Sequence, residues 1–252
     1  MKTSIPRSTL EKLREFDTAH LAGAIQSVTP TLGPTVGVAL TCTLDSSTPG
    51  NRADTKAYWR QLEEMTAAGI PIVWVVQTVG ARPDHECVIG DGMAKTLHAA
   101  GCVGLVTNGR VRDVNGLLST PFAAYCQGTI AHHCALRFQD PGEPVEMGGV
   151  TIRPGDVIHA NAEGIIKIPP TCLDRLPEAA VRMRAFEHDM HRMLRRTDLP
   201  PAEKRRRVGA MVAQYGLQDC VAGPGSGPVA KQAKWVSTQT GADVDENRQE
   251  LC

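Results

Sequence analysis

The stretch GDGMAKTLHAAGCVGLVTNGRVRD, residues 90–113, decides how the chain is read. Two glycines bracket Asp91, and Met93, Leu97 and Ala100 then recur at helical spacing until Gly101 stops the helix. Val103–Thr107 follows as an apolar strand, and Gly109 and Arg110 turn the chain toward Arg112 and Asp113. Loop, helix and strand in that order belong to an α/β layer, where the carboxyl ends of strands gather ligand-binding loops. Gly90 and Gly92 allow close backbone approach to a ligand. The free N–H groups of the first helical turn suit a carboxylate. Arg112 can fork a carboxylate, and Asp113 can hold a hard divalent cation. Each motif taken singly also has a plain structural reading, Asp91 as a helix cap and Arg112–Asp113 as a surface ion pair or turn.

Upstream, Leu10, Leu13, Phe16, Leu21 and Ile25 predict an amphipathic helix over Ser8–Ser27. Thr35–Thr43 reads as a strand, Asp54–Ala68 as a helix opened by an Asp cap and closed by Gly69, and Ile72–Val76 as a buried strand. Downstream, Phe122–Cys126 and Thr129–His133 read as short strands. Val150–Arg153 and Val157–His159 flank a Pro154-Gly155-Asp156 turn, and Ile165–Ile168 follows a Glu163-Gly164 turn. Leu176, Ala180, Met183, Glu187, Met190 and Leu194 mark a long helix with Pro177 in its first turn, and a second helix covers Glu203–Tyr215. The expected organisation is a core over residues 1–170, a helical extension over 171–221 and a tail over 222–252. That tail holds too few large apolar residues to bury much and is expected to be mobile or to drape over a partner.

With 252 residues, 42% of them hydrophobic, the chain can bury one sizeable core. Lys+Arg 27 against Asp+Glu 27 gives a formal net charge of +0, which argues against nucleic acid or an acidic membrane surface as a partner. No apolar run reaches the ~20 residues that span a bilayer, and Met1–Glu15 lacks an apolar signal core. Eight cysteines without a C-x-x-C pair predict small buried hydrophobes in a reducing, cytoplasmic compartment. His132 and His133 point to opposite faces if extended, His188 and His191 read as a solvated helix face, and Lys204–Arg207 reads as a solvated helix start. The G-x-S-x-G, G-x-G-x-x-G and P-loop patterns are absent from the sequence.

Read together with Arg153-Pro154-Gly155-Asp156 and Asn161-Ala162-Glu163-Gly164, the ordered set Gly90-Asp91, Gly101, Gly104, Gly109 and Arg112-Asp113 resembles the RraA-like family. That family includes 4-hydroxy-4-methyl-2-oxoglutarate aldolases, oxaloacetate decarboxylases and non-catalytic regulators of ribonuclease E. The resemblance covers roughly Ser8–Pro170. It implies an α/β fold, the three-layer β/β/α swivelling domain, here with a C-terminal helical extension. It also implies a homotrimer or homohexamer with the pocket between subunits.

Carried over, the resemblance makes Arg112 the grip on the carboxylate and oxo group of a small 2-oxo acid, and Asp113 the anchor of Mg²⁺ or Mn²⁺. Gly90 and the backbone N–H groups of Gly92 and Met93 would complete the substrate site, and Asp91 would orient a proton-carrying water. The implied activity is a class II aldolase or decarboxylase with a pyruvate-type enolate intermediate, in which no Schiff-base lysine is required. Lys95, the lysine nearest the motif, reads as solvated. The alternatives are a non-catalytic binding protein that regulates a partner enzyme, or a divergent hydrolase or isomerase using the same metal pocket. The chain departs from the family at His20-Leu21-Ala22-Gly23-Ala24-Ile25, and at Asn108 and Asn161, where an acid is frequent.

Overall fold

The computed structural model describes residues 5–13, 26–27, 29 and 34–217. Alternating burial along two parallel strands shows how the core is layered. In β2 (Thr35–Leu44), Val36, Val38, Leu40, Cys42 and Leu44 enter one apolar cluster, while Ala39 enters a second cluster on the opposite face. In β3 (Ile72–Thr78), Ile72, Trp74 and Val76 join the first cluster, and Val73 and Val75 join the second. A strand that buries both faces must lie inside a stack of layers, which explains why these runs are continuously apolar.

The remaining strands complete that central layer. They are β1 (Gln26–Ser27), β5 (Cys102–Thr107), β7 (Ala123–Cys126), β8 (Phe138–Gln139), β11 (Val157–Asn161) and β12 (Gly164–Ile168). Their order is β1-β7-β5-β3-β2-β11-β12, with β8 paired to the end of β2. The pairs β2–β3, β3–β5 and β5–β7 are parallel, whereas β1, β8, β11 and β12 run antiparallel to their neighbours. One face carries α2 (Lys56–Ala68) and α3 (Asp91–Ala99), which contribute Tyr58, Leu62, Met65, Ala94 and Leu97 to the first cluster. The other face carries the hairpin of β9 (Val145–Met147) and β10 (Val150–Ile152), which contributes Val145, Met147 and Ile152 to the second. The architecture is therefore a mixed α/β fold of three layers: hairpin, sheet and helices.

Local signals account for several boundaries. Gly69 closes α2 at φ 64, a left-handed conformation that a residue with a Cβ rarely adopts, and the Asp54 carboxylate accepts the Lys56 N–H at 3.0 Å. Under α2, the Trp74 indole N–H donates to Gln61 Oε1 at 2.7 Å, and Gln61 Nε2 donates to the Thr41 carbonyl at 2.8 Å. This satisfies the polar atoms of two fully buried side chains.

Some expectations need correction. The strand expected over Thr129–His133 does not form, since within it Thr129 alone makes a ladder contact, an isolated bridge to Val111. His132 and His133 are exposed there. The N-terminal helix is described over Arg7–Leu13 (α1), and Gln26–Ser27, expected to close it, instead pair antiparallel with β7. Residues 14–25, including the departure at His20–Ile25, lie outside the described residues, as does the tail 222–252.

The chain divides into two compact units, Met1–Ala180 and Val181–Cys252, and α5 (Leu176–Leu194) runs across the division. Within the second unit, α6 (Pro201–Gln214) begins with proline in its first turn, where a missing N–H costs nothing. Phe186 and Tyr215 meet edge to face at 5.8 Å, and the Tyr215 hydroxyl donates to Asp189 at 2.6 Å. Lys204 Nζ donates to the Leu194 carbonyl at 2.7 Å, at the C-terminal end of α5. Among the described residues no helix is long and apolar enough to cross a membrane.

Candidate active site

Two short strands bring the two motifs together. β4 (Cys87–Ile89) pairs in parallel with β6 (Arg110–Val111), and the Arg112 N–H donates to the Ile89 carbonyl at 3.0 Å. This places Gly90, the residue after β4, against Arg112 and Asp113, the residues after β6. A Cβ on Gly90 would lie 2.6 Å from Asp113 Oδ2 and 3.1 Å from Arg112 Cζ and Nε. Glycine is needed here for space, since the Gly90 backbone at φ −117 is ordinary extended chain.

Asp113 adopts φ 59 and ψ 44 ahead of α4 (Val114–Leu118). The left-handed conformation costs an L-residue about 1–2 kcal/mol, although aspartate is among those that tolerate it. The carboxylate meets Arg112 Nη1 at 2.8 Å, and both side chains remain partly open to solvent. Across the junction, a Cβ on Gly116 of α4 would lie 2.4 Å from Asp91 Cβ and 2.8 Å from Asp91 Oδ2. The junction is thus reciprocal, with the glycine before α3 making room for the carboxylate before α4 and a glycine inside α4 making room for Asp91.

Asp91, Asp113, Val114, Asn115 and Gly116 line an open cleft of about 460 Å³. Lys95, one turn along α3, donates to Asp91 Oδ2 at 2.6 Å. That hydrogen bond holds the Asp91 carboxyl below the usual carboxylate range, with further help from the Lys95 charge, the Gly92 N–H and the Arg112 guanidinium. Asp91 is consequently an acceptor near neutral pH rather than a proton donor. The first intrahelical bond of α3 runs from the Ala94 N–H to the Gly90 carbonyl, so the N–H groups of Gly92 and Met93 have no carbonyl partner within the helix, and that of Gly92 is turned to the Asp91 carboxylate.

The donor set suits a hard cation that keeps part of its water shell. Two carboxylates and an amide share one open cleft, as magnesium-type sites with one or two protein carboxylates require. Among the described residues no group of three or more His, Cys, Asp and Glu gathers for a metal. Any cation here would therefore rest on Asp113 and its cleft neighbours together with water.

Lys95, expected to be solvated, is 55% exposed and also pairs with Asp91, a contact that was legible from its i,i+4 spacing on a helix. Asn115 and Gly116 were not legible, because their proximity to Asp91 arises only when α3 and α4 meet. The two asparagines that stand where an acid is frequent are structural. Asn108 Oδ1 accepts the Thr78 N–H at 2.7 Å while its Nδ2 donates to the Thr78 carbonyl at 3.2 Å, a pair of bonds that a carboxylate cannot make. Asn161 Oδ1 accepts the N–H groups of Glu163 and Gly164 in the β11–β12 turn.

The model of the RraA-like family, described as aldolase/RraA, matches residues 10–167. The chain belongs to the RraA-like family. One relative, a protein of Halalkalibacterium halodurans named provisionally as a 4-hydroxy-4-methyl-2-oxoglutarate aldolase, is 34% identical over 124 residues, covering 47% of this chain and 58% of that protein. The chain thus spans little more than half the length of that RraA-like relative. Among solved structures, RraAS2 of Streptomyces coelicolor, described as an unusual member of the RNase ES inhibitor RraA family, superposes with a TM-score of 0.58 at 22% identity. That likeness covers 73% of this chain and 96% of that one. A structure described under novel cellulases from gut-associated microbes superposes with a TM-score of 0.62 at 18% identity, covering 75% of this chain and 90% of that one. At such identities both likenesses concern the fold alone.

Proposed function

We propose that this RraA-like protein is a divalent-metal-dependent lyase that cleaves a carbon–carbon bond in a small 2-oxo acid, as a class II aldolase or a decarboxylase. The observation that carries the reading is the junction at which Gly90, Arg112 and Asp113 crowd together beside Asp91, at the mouth of a polar cleft. The aldolase name of the relative at 34% identity supports it. Breaking the bond next to a 2-oxo group leaves negative charge on the oxo oxygen, and a site that meets that charge with fixed positive groups lowers the barrier.

Arg112 is already oriented by its ion pair with Asp113 and grips the substrate carboxylate and oxo oxygen. The N–H groups of Gly92 and Met93, at the first turn of α3, hold the other side of that carboxylate. Asp91, ionised and held by Lys95, orients the water that moves the proton. Asp113, partly through water, would hold Mg²⁺ or Mn²⁺, which would supply Lewis-acid stabilisation of charge on the oxo oxygen. The protein works in the cytoplasm as a homotrimer or homohexamer, an assembly in which a neighbouring subunit closes the open side of the cleft.

The test is release of pyruvate from 4-hydroxy-4-methyl-2-oxoglutarate and from oxaloacetate, with Mg²⁺ or Mn²⁺ and then with a chelator. Turnover that disappears with chelator and in Asp113→Ala supports the lyase, and Arg112→Ala should cost about 10²–10³-fold in kcat. Absence of turnover on any 2-oxo acid would favour a non-catalytic regulator.

A further inference from the structure

Beneath the active-site junction two cysteines abut. Cys87 opens β4 and is 4% exposed, and its N–H donates to Cys134 Sγ at 3.2 Å. Cys134 is half-buried in the segment before β8, whose two ends are tethered by the bridges Thr129–Val111 and Arg137–Asp54. Bond lengths added to that hydrogen bond cap the Cα separation at about 7.5 Å, against the roughly 4.4–6.8 Å that disulfides need, and the Cys87 thiol would leave the Ile89 carbonyl, to which it donates at 3.6 Å, to reach Cys134. Both thiols are free.

We propose that Cys87 and Cys134 form a reversible oxidation site, a disulfide made when the protein meets a hydroperoxide. The sulfur of Cys134, the less buried of the two residues, attacks the peroxide; its S–O bond forms as the O–O bond breaks, giving a sulfenic acid and one water or alcohol. The Cys87 sulfur then attacks that sulfenic sulfur. The S–S bond forms, the S–O bond breaks, and hydroxide leaves as water with the Cys87 proton. Two thiols are oxidised by two electrons in all, and one hydroperoxide is reduced. The order follows from exposure, and burial, which pushes the Cys87 thiol up to about 11, leaves it the resolving partner. The Arg112 guanidinium lies beside the Cys87 sulfur. Joining Cys87 to Cys134 therefore changes the support beneath Arg112, a consequence for activity that rests on the lyase reading.

The full chain, treated with a modest excess of hydrogen peroxide, should lose about two mass units, the two thiol hydrogens, and regain them with dithiothreitol. Peptide mapping should join Cys87 to Cys134. Cys134→Ser keeps an acceptor for the Cys87 N–H and should leave the melting temperature within about 2 °C while abolishing the cross-link. Alkylation of both thiols after oxidation, linkage of either to another cysteine, or stepwise oxygen uptake at Cys134 with Cys87 still free would each overturn the site. These readouts need no enzymatic activity, so a protein without lyase turnover still tests the disulfide. If turnover is found, it should fall on cross-linking and recover on reduction, and a cross-linked enzyme of unchanged kcat would remove the link to Arg112.

Discussion

Asp113 carries two demands that pull apart: a left-handed backbone that glycine or asparagine would meet more easily, and a carboxylate that the cleft requires. Asp113→Asn separates them. It should keep the melting temperature close to that of the parent while removing the metal-linked rise in stability, a contrast read by thermal melts with and without Mn²⁺. Lys95 makes the second prediction at this scale. Its hydrogen bond depresses the Asp91 pKa, so Asp91 favours the folded state above its ordinary value near about 3.9, and that contribution fades as the pH falls through the lowered value. Lys95→Met should move the acid limb of the kcat/KM profile upward, toward the ordinary carboxylate range. An unmoved limb would show that another group sets it.

At the scale of elements, the β4–β6 pair and the meeting of α3 with α4 turn two separate motifs into one site. Gly90→Ala would drive a methyl group against Asp113 and Arg112, and Gly116→Ala would do the same to Asp91. Each should cost at least tenfold in kcat/KM with about 1–3 kcal/mol of stability lost, as overpacking does, measured by steady-state kinetics and denaturant melts. A second element-scale prediction concerns α6, where the Arg206 and Arg207 guanidinium groups hold the Glu203 carboxyl down at about 2. A depressed carboxylate stabilises the fold above its unfolded pKa and ceases to do so as the pH drops through the folded value. Helical signal from this unit should therefore decline between about pH 4.5 and pH 2, and Glu203→Gln should flatten that decline. The strands β2, β3 and β5 were legible because they are runs rich in valine and other β-formers, six to ten residues long. The three-residue β4 and two-residue β6, which build the site, were not: at that length no periodicity exists, and their pairing is set by contacts between distant residues.

At the scale of the whole molecule, the sheet buries both faces, so the two apolar clusters and the few polar groups inside them are coupled through the same strands. Gln61, 1% exposed, accepts the Trp74 indole N–H and donates to the Thr41 carbonyl. Gln61→Leu should cost about 1–3 kcal/mol in chemical denaturation, because the buried Trp74 indole N–H loses its oxygen acceptor while the Thr41 carbonyl keeps the Gly142 N–H, with the fold otherwise retained. The α/β class was legible through the family resemblance that Gly90-Asp91, Arg112-Asp113 and Pro154-Gly155-Asp156 carry. The second β layer was only half visible, because β9 is three residues long and is recognisable as a strand only once β10 pairs with it. The Arg112–Asp113 pair was legible as a chemical possibility, whereas its closeness to Gly90 and Asp91 belongs to the folded chain.

The account stands or falls on whether one cleft holds a divalent cation and a 2-oxo acid together. Titration of the protein with oxalate, a planar dianion shaped like the enolate of pyruvate, tests this in the presence and absence of Mn²⁺. The account predicts oxalate binding that requires Mn²⁺, is weakened at least about tenfold in Arg112→Ala, and is lost in Asp113→Ala. Oxalate that binds equally well without metal, or in Asp113→Ala, would contradict it.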